Sequence, residues 1–250
     1  MRQFKNSPLT ALMIQIASTL LIITLIISQS FLALSLFEWA IFQGLLAGLF
    51  SFVSRMPLWW IPIHLLFLPL SIATLSLDIS PMWFFIIFMG LWLVYGKTYK
   101  TQVPLYLSSK SVPHALELFL PKKNDFSFMD LGSGCGGLLK YLATIHKNGH
   151  FYGIESAPLP FLISKIRNIF SVSDCKIYWG DFWQHDFSQY DVVYAYLSPV
   201  PMESLWQKAI REMRPGSVLI SNTFIIPGIA PDKTIPLNDF SNSTLYLWKI

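Results

Sequence analysis

The first 96 residues of this 250-residue chain carry only five charged side chains, Arg2, Lys5, Glu38, Arg55 and Asp78. An ionised group at the centre of a bilayer costs about 2.5–3.5 kcal/mol even on insertion scales, so such charges mark the ends of apolar spans. They cut the segment into Leu9 to Leu36, Trp39 to Ser54, Leu58 to Leu77 and Met82 to Tyr95. The last is short of the ~20 residues a bilayer requires. This pattern predicts an all-α transmembrane region of about four helices over residues 1–96, with the lipid bilayer as partner. Arg2 and Lys5 precede the first span, Arg55 lies between the second and third, and Lys97, Lys100 and Lys110 follow the fourth, whereas Glu38 and Asp78 fall on the other side. By the positive-inside rule both termini are cytoplasmic, which places the chain in the inner (cytoplasmic) membrane. A cleavable leader ending near Ala33-Leu34-Ser35 is disfavoured, because its apolar core exceeds the usual 7–15 residues and more spans follow.

Beyond Lys97 the charge density becomes ordinary. Residues 97–124 form a linker with Lys97, Lys100, Lys110, Lys122 and Lys123 near the membrane exit, and residues 125–250 alternate short β-rich runs with helical patterns. That alternation is the sequence form of a mainly parallel sheet flanked by crossover helices. Strands are expected at 126–129, 150–154, 175–179, 191–197 and 217–223, and 244–250 as a final edge strand. A helix over 158–170 is expected to turn Phe161, Leu162, Ile166, Ile169 and Phe170 inward. Met202, Leu205, Trp206, Ala209, Ile210 and Met213 mark another amphipathic helix. The net charge of +4 and pI near 9.0 do not call for nucleic acid, since a positive-inside membrane protein reaches such values anyway. Cys135 and Cys175 make neither a disulfide framework nor a zinc-site spacing, the five histidines show no ligand spacing, and no metal is expected.

The chemistry concentrates in Asp130-Leu131-Gly132-Ser133-Gly134-Cys135-Gly136-Gly137, between an apolar run and a helical pattern. A strand ending in a glycine turn that opens a helix presents bare backbone N–H groups to a ligand. Glu155 ends the second strand, Gly180-Asp181-Phe182 follows the third, and Arg214-Pro215-Gly216 precedes the fifth. Gly132, Gly134 and Gly137 also satisfy G-x-G-x-x-G, the dinucleotide fingerprint. Against that rival, dehydrogenase loops usually carry an apolar residue where Asp130 stands, and the Y-x-x-x-K match from Tyr106 to Lys110 precedes the loop instead of following it.

Taken together, these residues resemble a class I (seven-β-strand) S-adenosylmethionine (SAM)-dependent methyltransferase with a Rossmann-like fold. The resemblance covers roughly residues 98–250 and implies SAM as cofactor. It places Asp130 near the methionine amino group, Gly132, Ser133, Gly134 and Gly136 along the methionine part, Glu155 on the ribose hydroxyls, Asp181 on the adenine amine and Phe182 against the ring. Acceptors enter such enzymes beside the end of strand four, here Tyr194-Ala195-Tyr196-Leu197-Ser198-Pro199. Tyr196 and Ser198 are therefore the candidate catalytic residues, with Asn222 as a further residue near the site. The Asn/Asp-Pro-Pro-Tyr/Phe motif of DNA and glutamine methyltransferases is not present there.

A narrower resemblance joins Thr101-Gln102-Val103-Pro104-Leu105-Tyr106, the glycine loop, Asp181-Phe182-Trp183, the strand-four segment and the hydrophobic N-terminus. These look like the membrane-associated lysine methyltransferases of the mitochondrial inner membrane, which modify ATP synthase subunit c and the adenine nucleotide carrier. Cys135 and Gly137 stand where that family usually has an acidic residue and an Arg. The resemblance implies a membrane-associated protein substrate with lysine as acceptor. A lipid or quinone acceptor is the second choice, and a non-catalytic SAM-binding scaffold or sensor is the competing class.

Overall fold

The computed structural model describes residues 7–28, 34–122, 125–171 and 175–250. Arg2, Lys5, Ala33 and Lys123, used above, lie outside the described residues. The chain divides into two compact units, Met1–Phe84 and Phe85–Ile250.

The first unit contains α1 (Ser7–Ser28), α2 (Leu36–Val53), α3 (Trp60–Leu75) and the start of α4 (Pro81–Tyr95). Ser35 and Glu38 begin α2 with a reciprocal capping box, Glu38 accepting from the Ser35 N–H at 2.7 Å. By length and composition α1 and α2 are apolar enough to cross a membrane. At 1.5 Å per residue, α3 and α4 reach only about 24 Å and 22 Å, less than a ~30 Å hydrocarbon core.

This unit is apolar outside, and inside it sets a polar cluster beside a small apolar one of Ala11, Ile14, Ala47 and Met56. Leu12, Met13, Leu20, Phe42, Leu45 and Leu49 are exposed, while Ser18, Gln43, Ser51 and His64 are buried. The Gln43 amide donates to Gln15 Oε1 at 2.7 Å and Ser18 Oγ at 2.9 Å, and Gln15 Nε2 lies 3.0 Å from His64 Nδ1. Gly44 sits so close to α3 that a Cβ there would collide with the Leu65 carbonyl oxygen. Small residues spaced by four let helix backbones approach closely, the usual packing mode where lipid replaces water.

The second unit follows the opposite rule. It runs through α5 (Thr98–Thr101), α6 (Ser111–Glu117), β1 (Phe126–Leu131), α7 (Gly137–Ile145), β2 (Gly149–Glu155), α8 (Pro158–Ile169), β3 (Cys175–Trp179), β4 (Val192–Ala195), α9 (Met202–Glu212), β5 (Val218–Asn222), β6 (Lys233–Pro236) and β7 (Thr244–Lys249). The seven strands are ordered β3-β2-β1-β4-β5-β7-β6, with β7 antiparallel to both neighbours and the β1 to β5 pairs all parallel. Phe128, Leu139, Leu142 and Phe151 pack one face of the sheet, and Leu131, Val193, Leu205 and Trp248 pack the other.

Two sequence expectations are corrected here. Residues 244–249 form an interior strand, because Lys233–Pro236 pairs antiparallel outside it: Ile235 pairs with Leu245 and Thr234 with Tyr246. Leu245, Leu247 and Trp248 are accordingly buried. In α8 the buried residues are Pro160 and Ser164, whereas Leu162, Ile166, Ile169 and Phe170 point outward. The cause is the glycine turn beneath the helix: a Cβ on Gly136 would lie 3.1 Å from Ser164 Cβ, so only a small side chain fits on that face.

Candidate active site

Parallel strands deliver their last residues to one edge, and the register aligns them here: Leu131 pairs with Ile154 and Ala195, Glu155 with Trp179, and Ala195 with Ser221. Ligands of open α/β sheets bind at this carboxyl edge, where the strand order reverses between β1 and β4. After β1 the chain turns through Gly132, Gly134 and Gly136 with φ of +72°, +54° and +71°, a region that L side chains rarely adopt.

Glu155 locks this loop to β2. Its carboxylate accepts from the Gly134 N–H at 2.8 Å and the Ala157 N–H at 2.6 Å. A carboxylate has about four lone-pair directions, so capacity remains for two further donors such as a ribose diol. Asp130 lies one strand away, fully enclosed. Burial pushes its carboxyl up to about 8, with the negative charge of Glu155 adding to the effect. The free site therefore holds Asp130 protonated at neutral pH, and a cationic ligand favours its ionised form.

Two cavities flank Gly132. One is lined by Glu155, Ala157, Gly180, Phe182, Trp183 and residues 103–106. The other, about 540 Å³, is lined by Asp130, Ser133, Gly134, Tyr141, Arg167 and Tyr194 among others, a size within the usual range for ligand sites. Tyr106, Gly132 and Tyr196 belong to both. The Tyr106 and Tyr196 rings stack at 4.9 Å, and Phe224 tilts against each, 5.7 Å from Tyr106 and 6.4 Å from Tyr196. Leu105 lies over the loop, 3.4 Å from where a Gly134 Cβ would be.

The sequence candidates are thus distributed unevenly. Asp130, Gly132, Ser133, Gly134, Glu155, Phe182 and Tyr196 line the cavities, whereas Gly136, Asp181 and Ser198 line neither. Asp181 Oδ1 instead accepts from the Trp183 N–H at 3.0 Å and caps the short turn Phe182–Gln184. Ser198 is buried, and its Oγ has no hydrogen-bond partner among the described residues. Asn222 acts through a neighbour: its Nδ2 donates to the Tyr194 hydroxyl at 3.1 Å, which lies 3.1 Å from Ser108 Oγ. Burial raises the Tyr194 phenol well above its ordinary value, so it stays protonated.

Sequence reasoning gave no role to Ser108 or Arg167, and read Tyr106 and Tyr194 as parts of the Thr101–Tyr106 and strand-four segments, with no role of their own. Tyr106 lies more than twenty residues before the loop in a stretch with no periodicity, and only the fold brings it over the edge. Ser109 ties that stretch down by donating to Asp239 at 2.6 Å.

SAM fits this arrangement on two counts. The Ser133 hydroxyl is buried at the cavity wall with no partner among the described residues, and Glu155 keeps acceptor capacity beside the glycine turn. Bound SAM supplies a methyl group on a sulfonium, and transfer is an in-line displacement that needs alignment above all. The loop, Glu155 and Phe182 would hold the cofactor, leaving the Tyr106–Tyr196 pair to border the acceptor's approach.

The comparisons agree. Residues 130–233 match the family model described as the ANTKMT methyltransferase domain. An RNA methyltransferase from Salinibacter ruber, solved with S-adenosyl-L-homocysteine, is 28% identical over 58% of this chain and 94% of its own, with a TM-score of 0.52. The tRNA methyltransferase TrmK of B. subtilis is 16% identical, covering 57% of this chain and 66% of its own at a TM-score of 0.46. A SAM-dependent methyltransferase from Geobacter sulfurreducens, also with S-adenosyl-L-homocysteine, is 17% identical over 51% and 49% at 0.40. No curated protein matches the chain. The seven-strand order with one antiparallel strand, the acid-and-glycine edge, the domain-model match and the likeness to the Salinibacter ruber enzyme identify the chain as a class I SAM-dependent methyltransferase.

Proposed function

We propose that the enzyme transfers methyl groups from SAM to a lysine of a membrane-associated protein. It does so from a catalytic unit held at the cytoplasmic face of the inner membrane by its N-terminal helices. The observation that carries the acceptor assignment is the match of residues 130–233 to the ANTKMT methyltransferase domain model, taken with the sequence resemblance to membrane-associated lysine methyltransferases described above. The stacked Tyr106 and Tyr196 support it, since aromatic faces favour an ammonium group.

Membrane attachment draws support from the apolar exterior and polar interior cluster of α1 to α3 and from the first cavity's wall. Val94, in the last turn of apolar α4, and Lys97, Thr98 and Thr101 contribute to that wall. An acceptor at the bilayer surface would meet the site at high local concentration without any new contact.

A second reading, RNA as acceptor, is favoured by the 28% identity to the Salinibacter ruber enzyme. Incubation of the full chain in membranes with methyl-labelled SAM separates the readings. Under the lysine proposal the label resists organic extraction and ribonuclease and is recovered as methyl-lysine after acid hydrolysis. Label in the organic phase would assign a lipid or quinone instead, and ribonuclease-sensitive label would assign RNA.

A further inference from the structure

We propose that the outer face of α8 is a bilayer-docking surface, lying on anionic lipid headgroups with its apolar side chains among the acyl chains. Leu162, Ile166, Ile169 and Phe170 recur at i, i+4, i+7 and i+8 and form one stripe about 12 Å long. Ile169 is 77% exposed and Phe170 82% exposed. Trp179, 58% exposed at the end of the edge strand β3, extends the stripe through its contact with Phe161, ring centroids 5.1 Å apart. Contiguous apolar side chains on the surface of an enzyme unit whose own core is filled mark an interaction site.

Charge and position select the occupant. Helix α8 contains no acidic residue; of its two cations, Lys165 is exposed beside the Phe161 ring, 5.7 Å from its centroid, while Arg167 turns to the glycine loop and donates to the Cys135 carbonyl at 3.3 Å. Basic residues interleaved with Leu, Ile, Phe and Trp are the composition of a helix that lies in a membrane interface. The helix also starts at the active site: Ala157, its N-cap, lines the first cavity together with Gly180 and Trp183, which follow β3. A bilayer against α8 would therefore bring headgroup-level acceptors to that mouth. Right-handed crossovers place α7 and α8 on one face of the sheet and α9 on the other, so only one side of the unit docks.

The inference rests on the membrane-attachment reading, and the test keeps the two apart. The full chain, with Cys135→Ser and Cys175→Ser, is given a single bimane label at Ile169→Cys, at Arg211→Cys on α9, or at Leu20→Cys on α1. Each is reconstituted in vesicles of phosphatidylethanolamine and phosphatidylglycerol. Docking predicts blue-shifted emission at 169, quenching by doxyl lipid and loss of quenching by iodide, with the reverse at 211. Iodide quenching at 169 equal to that at 211 overturns the docking surface. Protection from both quenchers also overturns it, because it assigns the face to a protein contact such as a second copy. Lipid quenching at 20 alone leaves membrane attachment standing and removes only the docking face, whereas iodide quenching at 20 removes attachment itself.

Discussion

The two units of this chain solve the burial problem with opposite signs. In the helical unit Gln43, Ser18 and His64 are inside beside a few small apolar residues, and leucines, isoleucines and phenylalanines cover the outside; in the catalytic unit Phe128, Leu142 and Trp248 are inside and all but a few charges are outside. Water drives apolar groups together only where water is the solvent. In lipid, close packing of small residues and interhelical hydrogen bonds must take over. The difference also explains where unusual protonation is tolerated. The catalytic unit buries two carboxyls, Asp130 and Glu155, at its working edge, and the low-dielectric setting that raises Asp130 is created by the same core that stabilises the sheet.

The largest expected effect sharpens that last point. Asp130 has a folded-state pKa raised to about 8 from an ordinary 3.8, so from about pH 4 to pH 8 the unfolded chain releases a proton that the folded one keeps. Stability attributable to this group therefore falls as pH rises across that window and levels off above it. At about 1.4 kcal/mol per pKa unit the total reaches several kcal/mol. Asp130→Asn should flatten the decline in denaturation midpoint of the catalytic unit between pH 5 and pH 8, and an unchanged slope would show that the carboxyl is not protonated there.

Next in size, Glu155→Ala removes the acceptor of the Gly134 and Ala157 N–H groups and the expected partner of the ribose. Charge-assisted hydrogen bonds contribute about 1.5–3 kcal/mol each, so affinity for S-adenosyl-L-homocysteine should fall on the order of 100-fold or more. Titration calorimetry reads this directly. The helical unit should be unaffected, which circular dichroism of the variant would confirm.

Gly44→Val attacks the other unit. The added Cβ meets the Leu65 backbone, which cannot turn aside as a side chain does. A cost of about 1–3 kcal/mol, typical of overpacking, should appear as a lower melting temperature in detergent with cofactor affinity preserved. Loss of cofactor binding in this variant would mean that the units are coupled.

The smallest effect tests the polar interior. Gln43→Leu deletes its hydrogen bonds to Gln15 and Ser18, and interhelical hydrogen bonds in membranes average about 0.6 kcal/mol. A melting-temperature change of only a degree or two is expected, and a collapse of the unit would assign the network a larger structural role.

Much of the catalytic unit was legible in the sequence because its signals are local. The end of β1, the glycine turn and Glu155 are fixed by residue types that each need a particular backbone. The α8 expectation failed because periodicity shows that a helix has an apolar stripe but not which way it faces; Ser164 against Gly136 decided it. Strand β6 escaped notice since Lys233–Pro236 is four residues long, ends in proline and is largely exposed, too short for alternation to register. The Tyr106–Tyr196 stack and the Ser108–Tyr194 contact join segments more than eighty residues apart in sequence, and Asn222 reaches Tyr194 across 28. Nothing in the spacing of those residues announces that the fold joins them.

Calorimetric titration of the detergent-purified full chain with S-adenosyl-L-homocysteine tests the central claim most directly, with NADH titrated in parallel. The account predicts a single-site isotherm with S-adenosyl-L-homocysteine that weakens sharply in Glu155→Ala, and no binding of NADH. Binding of NADH alone, or equal binding of S-adenosyl-L-homocysteine by the wild type and Glu155→Ala, would contradict it.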